Sequence, residues 1–222
     1  MKQLYKVFSD EKVAPLVRQL SWSNCLQLLP IKNYNKINYY ANQCIKYNLS
    51  KRQLEEKIKS KEYERLSEGT KSKLIANEEP LLPDLVKNPI LIKNTNKYTE
   101  ISEKVLQQII LENIDSFMQE LGSGFSYIGK EYPIEIGNNY NYIDLLLYNV
   151  EFNCYVVVEL KVTRLKKEHI GQIEVYMNYI DRKLKRFNQD RTIGIIICKE
   201  NNEYIIEYCS DKRIISREFE LV

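Results

Sequence analysis

YNYIDLLLYNVEFNCYVVVELKV, residues 140–162, is the stretch on which the reading of the chain turns. Two runs rich in β-branched and aromatic residues, 140–148 and 154–162, flank residues 150–153, which close a hairpin between them. Side chains alternate along a strand. Tyr142, Asp144, Leu146 and Tyr148 therefore share one face of the first strand, and Tyr155, Val157, Glu159 and Lys161 share one face of the second. In this hairpin Tyr148 faces Tyr155, Leu146 faces Val157, and Asp144 lies opposite Glu159. Lys161 falls on the same face two residues on, about 6–7 Å further along the strand.

Two carboxylates opposed across a half-buried sheet repel, and burial raises the cost above that of an ordinary cross-strand pair. A divalent cation between them offsets it. With a neighbouring backbone carbonyl and waters, the pair suits the oxygen shell of Mg²⁺ or Mn²⁺. Such an ion activates water and a phosphodiester, while a nearby ammonium orients the water or stabilises charge on the phosphate. The pattern therefore points to hydrolytic phosphodiester cleavage. A plain salt bridge of Lys161 with Asp144 or Glu159 at a strand end is the alternative reading of the same residues.

Outward from the hairpin, residues 125–136 read as a third strand and Thr192–Cys198 (TIGIIIC) as a strand covered on both faces. Between them, residues 166–187 read as a helix with Ile170, Ile173, Met177, Ile180 and Leu184 inward. Ile101 to Leu121 reads as one amphipathic helix ending at Gly122. The order α-β-β-β-α-β predicts an α/β domain over residues 99–222 with a central mixed sheet. Residues 1–67 read as a helical domain. Within it, Asn48-Leu49-Ser50 separates two helices, Ser50 and Gln53 form a capping box, and Leu49 and Leu54 form a hydrophobic staple. The second helix carries Lys51, Arg52 and Lys57, compatible with a helix-turn-helix reader of nucleic acid and equally with any helical hairpin. Residues 68–98 hold Pro80, Pro83 and Pro89 and read as a linker, part of which packs.

Composition narrows the class. At 222 residues with 44% hydrophobic and 28% charged side chains, the chain is an ordinary globular protein rather than a disordered one. The net charge is +3, but residues 1–97 hold 18 basic and 10 acidic side chains, and residues 98–222 hold 15 and 20. A basic half beside an acidic half suits a polyanion partner for the first, nucleic acid being the commonest. Five cysteines without metal-knuckle or redox spacing read as reduced thiols, and the single histidine, His169, excludes sites that need several imidazoles. The first twenty residues carry charges throughout, unlike a signal peptide, and no run approaches the ~18 apolar residues of a membrane span. The expected location is the cytoplasm.

Asp144, fourteen intervening residues and Glu159-Leu160-Lys161 resemble the D-x(n)-E-x-K core of the PD-(D/E)XK nuclease superfamily, with Ile143 where a proline often stands. ELGSGFSYIG (120–129), YIDLLLYN (142–149), VVVELKV (156–162), GQIEVYMNYID (171–181) and TIGIIICK (192–199) resemble its YhcG-like branch in order and spacing. LSWSNCLQLLPIK (20–32), YYANQCI (39–45) and LSKRQLEEKIKSKEYERL (49–66) are similar to the N-terminal helical domain of that family, which is expected here to begin late and to lack its first helices. The resemblance implies a restriction-endonuclease-like domain in which Asp144, Glu159 and the Leu160 carbonyl hold the metal and Lys161 assists the attacking water. It implies a contact from Gln172 to the active centre. Tyr176 reads as core and His169 as solvent-exposed. The resemblance also implies an acidic residue on the first helix of the domain, at the position occupied by Gln107. Glu103 and Glu112 flank it, and Glu112 is the better candidate for an inward carboxylate.

The leading expectation is a Mg²⁺-dependent DNA endonuclease. A non-catalytic nucleic-acid-binding or adaptor protein on the same scaffold is the second, and a partner-binding subunit with no nucleic-acid role the third. Nucleases that cut both strands often pair, so a homodimer is compatible with the sequence.

Overall fold

The computed structural model describes residues 14–209 and 211–222, which fall into two compact units, Met1–Pro80 and Leu81–Val222. The reading of residues 1–13, as the start of the helical domain and as a segment unlike a signal peptide, lies outside the described residues.

The first unit is helical: α1 (Ala14–Val17), α2 (Trp22–Leu28), α3 (Tyr34–Tyr47), α4 (Lys51–Lys59) and α5 (Glu68–Ile75). Local chemistry sets the ends of these helices. Asn33 caps α3 by accepting from the Lys36 N–H at 3.2 Å, and Asn48 ends it in the left-handed region at φ 48°. The Ser50–Gln53 capping box opens α4, with the Gln53 N–H 3.3 Å from Ser50 Oγ and the Ser50 N–H 2.9 Å from Gln53 Oε1. Val17, Leu28, Ile37, Tyr40, Ala41 and Leu54 form the core of this unit. Tyr40 donates through its hydroxyl to the Lys57 carbonyl at 3.2 Å, pinning α3 against α4.

The second unit is built on one six-stranded sheet in the order β1-β6-β5-β4-β3-β2, with β1 (Ile90–Ile92), β2 (Phe125–Ile136), β3 (Asn139–Asn149), β4 (Cys154–Arg164), β5 (Asp190–Glu200) and β6 (Ile214–Leu221). β2, β3 and β4 run as an antiparallel meander, and β4, β5, β6 and β1 are parallel. The helices are α6 (Leu82–Leu85), α7 (Glu103–Glu112), α8 (Ile114–Leu121), α9 (Lys167–Lys183) and α10 (Glu203–Glu207). Alternation sorts the sheet's side chains into two layers. Leu145, Leu147, Val156, Val158 and Leu160 pack with Leu106, Ile109, Ile110 and Phe117 of α7 and α8, while Leu146, Val157 and Ile196 pack with Ile173, Tyr176 and Met177 of α9. This is the mixed-sheet α/β domain expected. No helix among the described residues is long and apolar enough to cross a membrane.

Three readings change. The helix of residues 101–121 is two helices, because Asn113 leaves helical geometry at φ −131° and ψ 39°. Its side-chain amide donates to the Ile109 carbonyl at 3.4 Å and to the Lys93 carbonyl at 3.3 Å, competing with the helical ladder. The stretch 68–98, read as a linker part of which packs, carries α5, α6 and β1. Leu82, Val86, Ile90 and Ile92 are buried in the second unit's core, and Arg217 of β6 donates to the carbonyls of Val86 and Pro83 at 2.8 and 2.9 Å. The parallel strands β1 and β6 were not expected at all. β1 is three residues long inside a proline-rich stretch, too short to show a period.

Gly194 of β5 lies under α9, where a Cβ would stand 2.5 Å from Met177 Sδ and 2.9 Å from Ile173 Cδ1. Overpacking of this kind costs about 1–3 kcal/mol. Gly194→Ala is therefore expected to lower the unfolding free energy by that amount in denaturant titrations, whereas an unchanged midpoint would mean that α9 does not press on the sheet here.

Candidate active site

The β3–β4 ladder pairs Tyr148 with Tyr155, Leu146 with Val157 and Leu145 with Val158, as the sequence register requires, and the two tyrosine rings meet edge to face at 5.2 Å. Beyond Leu145 the ladder stops. At that point the Asp144 side chain supplies an acceptor, with its Oδ2 2.7 Å from the Leu160 N–H. The two carboxylates thus sit where two paired strands part, with Asp144 held by the other strand's backbone.

Glu159 is 1% exposed, and its Oε1 has no hydrogen-bond partner among the described residues. Burial, reinforced by the charge of Asp144, pushes its pKa up to about 8, against the pull of Lys161. Burial also raises Asp144, partly countered by the Leu160 N–H and by Lys161. Lys161 Nζ lies 3.4 Å from Glu159 Oε2 and 3.6 Å from Glu103 Oε2. Burial works against its charge, but Glu159, Glu103 and Asp144 outweigh it, so its pKa is raised and it stays an ammonium.

The helices complete the site. Gln107, buried on α7, donates from Nε2 to the Asp144 main-chain carbonyl at 3.0 Å. Where the resemblance implied an acid, a neutral amide instead braces the backbone of Asp144. Of its two flanking acids, Glu103 approaches Lys161 and Glu112 does not, correcting the preference for Glu112. Glu103 precedes Gln107 by four residues and shares its helix face, whereas Glu112 follows by five, about 140° around the helix. There Glu112 accepts from Tyr98, Asn96 and Gln108 at 2.8, 2.8 and 3.0 Å. Glu131 of β2 also bears on the site. It falls opposite Asp144 between the pairs Lys130–Leu145 and Tyr132–Ile143, with φ 43°, and its charge helps to raise Asp144. No sequence signal marks that conformation in advance.

On α9, Gln172 donates from Nε2 to the Tyr176 hydroxyl at 3.0 Å, and Tyr176 is buried in the core as read. His169 is half-buried rather than solvent-exposed, because its Nδ1 accepts from the Lys166 N–H at 3.2 Å and closes the first turn of α9. Its pKa is lowered by burial and then by the charge of Lys161. In the first unit, Lys51 and Arg52 are exposed, Arg52 pairing with Glu56 at 3.2 Å. Lys57 is committed to the buried Glu62, at 3.0 and 2.9 Å from its two oxygens.

Among the described residues, no three His, Cys, Asp or Glu side chains group closely enough to hold an ion by themselves. The donor chemistry still fits Mg²⁺, which commonly takes one or two carboxylates and keeps several waters. The unpartnered Glu159 oxygen beside a second carboxylate is the feature that such an ion would satisfy.

Residues 83–220 match the family of the YhcG PDDEXK nuclease domain, and residues 1–65 match the DUF1016 N-terminal domain. A protein of Escherichia coli K12 named "Putative nuclease YhcG" is 28% identical over 184 residues, covering 80% of this chain. The chain spans about half of that relative, 49% of its length. Among solved structures, a repair endonuclease from Pyrococcus abyssi is 22% identical with a TM-score of 0.38, over 57% of this chain and 49% of that one. An EndoMS–dsDNA complex is 20% identical with a TM-score of 0.37, over 57% and 48%.

A buried carboxyl that keeps its proton when folded makes stability fall as pH rises. Between the ordinary value of 4.5 and about 8, the unfolded chain has lost the Glu159 proton and the native chain retains it, so unfolding becomes easier by roughly 1.4 kcal/mol per pH unit. Chemical denaturation of the metal-free chain at pH 5 and pH 8 is expected to show this loss, and Glu159→Gln to flatten it. Equal slopes for the two proteins would place the titration elsewhere.

Proposed function

The chain belongs to the YhcG PDDEXK nuclease family, and from that premise we propose that it hydrolyses phosphodiester bonds in DNA with a divalent metal, Mg²⁺ or Mn²⁺, as cofactor. The observation that carries the reading is the unpartnered, buried Glu159 Oε1 beside Asp144, with an ammonium two residues along the same strand.

In this reading Asp144, Glu159 and the Leu160 carbonyl hold the ion, which supplies a Lewis acid for a phosphodiester and for water. Lys161 acts as a donor: its raised pKa keeps it charged, so it orients the attacking water and offsets negative charge gathering on the phosphate. Glu103 holds the Lys161 ammonium at the open side of the pair, and Gln107 fixes the backbone that carries Asp144. Gln172 contacts the substrate or its water from α9, where it is half-buried and shares a helix face with His169.

The first unit binds the polyanion in the same reading. Lys51 and Arg52 open α4 and are exposed, which supports them as phosphate contacts, whereas the bond of Lys57 to Glu62 makes it the weakest of the three.

Asp144→Ala is expected to abolish cleavage of supercoiled and linear DNA in Mg²⁺, and Lys161→Ala to lower the rate by about 10²–10³-fold. Both should keep the wild-type circular dichroism spectrum and DNA affinity. Full activity of either variant, or equal cleavage in EDTA, refutes the assignment. For binding, Lys51→Ala and Arg52→Ala should each reduce the slope of log affinity against log salt by about 1, and Lys57→Ala by much less. An unchanged slope in the first two moves the phosphate contacts off α4.

A further inference from the structure

Beside the proposed centre the second unit has a cleft that the cleavage chemistry does not use. Its volume is about 680 Å³, and Tyr204, Ile205 and Tyr208 of the α10 segment line it together with Lys167 and Ile170 of α9 and Asn202. Tyr204 lies in the short helix and Tyr208, four residues on, is its C-cap; they are 75% and 81% exposed. Two aromatic rings this open, over an apolar floor of Ile170 and Ile205, present most of their surface to solvent among the described residues.

The topology says what lies next to them. β5 runs parallel to β4, pairing Cys198 with Lys161 and Glu200 with Arg164, and α10 starts directly after β5. α9 starts directly after β4. The cleft between them therefore opens at the same end of the sheet as Glu159 and Lys161, one strand over. Lys167 brings a cation to its wall. The turn into α10 is fixed: Asn201 accepts from the Asn202 N–H at 2.8 Å and is bonded to Ser216. Asn202 Oδ1 is left without a partner.

We propose that this cleft is a nucleobase subsite, in which Tyr204 and Tyr208 stack an unpaired base of the strand whose backbone reaches Lys161. Every base has a π-face, so a pair of open rings accepts any of them, and a nearby lysine suits the flanking phosphate. The open side leaves room for the sugar-phosphate, and Asn202 adds a polar side chain to the lining. Continuity with the centre and the cation in the wall favour a nucleic-acid strand over a protein. The inference rests on the nuclease reading for the strand's course and makes single-stranded, gapped or flapped DNA the preferred substrate class.

The test is binding of the full chain, in EDTA, to a short single-stranded DNA carrying the fluorescent base 2-aminopurine, with the same sequence as a blunt duplex for comparison. Stacking should quench the probe. Tyr204→Ala and Tyr208→Ala should each weaken single-strand affinity by at least about fivefold and relieve the quench, Tyr→Phe at either position should restore both, and duplex affinity should stay put. The exposure of both rings predicts melting curves that superimpose on the wild type. Unchanged quenching in the alanine variants, or an equal loss on duplex, overturns the subsite. So does a wild-type dimer in sedimentation that the alanine variants dissolve while base binding persists, since the rings would then meet a second copy. Because no cleavage is needed, the two readings fail separately. Quenching that depends on the tyrosines, with no cleavage of any DNA or RNA in Mg²⁺, sinks the nuclease and keeps the subsite. Cleavage of single strands with an unchanged KM in the alanine variants does the reverse.

Discussion

Glu159 is a carboxyl taken out of water beside a second carboxyl, and the arrangement around it is a set of partial answers to that cost. An isolated buried charge is prohibitive, so the group either keeps its proton or finds compensating charge. The chain supplies one ammonium, Lys161, and holds it between Glu159 and Glu103. One positive charge against two carboxylates, with Glu103 also drawing on it, leaves the balance negative. The upward shift of Glu159, to about 8, is the proton's share of that balance, and a divalent cation is the other ligand of the same chemistry.

Such a cluster survives because the fold opens a sheet locally without unpairing it. Between β3 and β4 the backbone ladder ends at Leu145 and Val158, and the next bond is made by a side chain, Asp144 to the Leu160 N–H. The Leu160 N–H released by the diverging strands is thus satisfied by the Asp144 carboxylate, while Glu159 Oε1 is left without a partner among the described residues. Gln107 closes the arrangement from behind by taking the Asp144 carbonyl. The alternation that sends Leu145 and Leu147 to α7 and α8, and Leu146 and Val157 to α9, anchors the hairpin from which these side chains project.

The hairpin register was legible because a tight connection between two strands leaves few ways to pair them, and Tyr148 opposite Tyr155 is the way observed. The capping box at Ser50 was equally legible, since caps are local in sequence. What failed was set by partners far along the chain. Asn113 breaks the helix because the Lys93 carbonyl stands within its reach, and the apolar part of 68–98, expected to pack, forms a sheet strand because β6 and Arg217 receive it. Glu112 lost to Glu103 through helix phase, a matter of about 140° that a count of turns from Gln107 does not weigh.

The amino-acid sequence by itself determined the run of elements from β2 to β5 and the opposition of Asp144 and Glu159 with Lys161 on the same face, because period-two alternation and a short hairpin are properties of neighbouring residues. The tertiary structure alone decided how buried Glu159 is, which helix acid meets Lys161, that Glu131 turns into the left-handed region opposite Asp144, and that Tyr204 and Tyr208 stand open beside the centre. These depend on which surfaces the parallel strands β5 and β6 bring alongside β4, and pairing between distant segments leaves no mark in any single stretch of the chain.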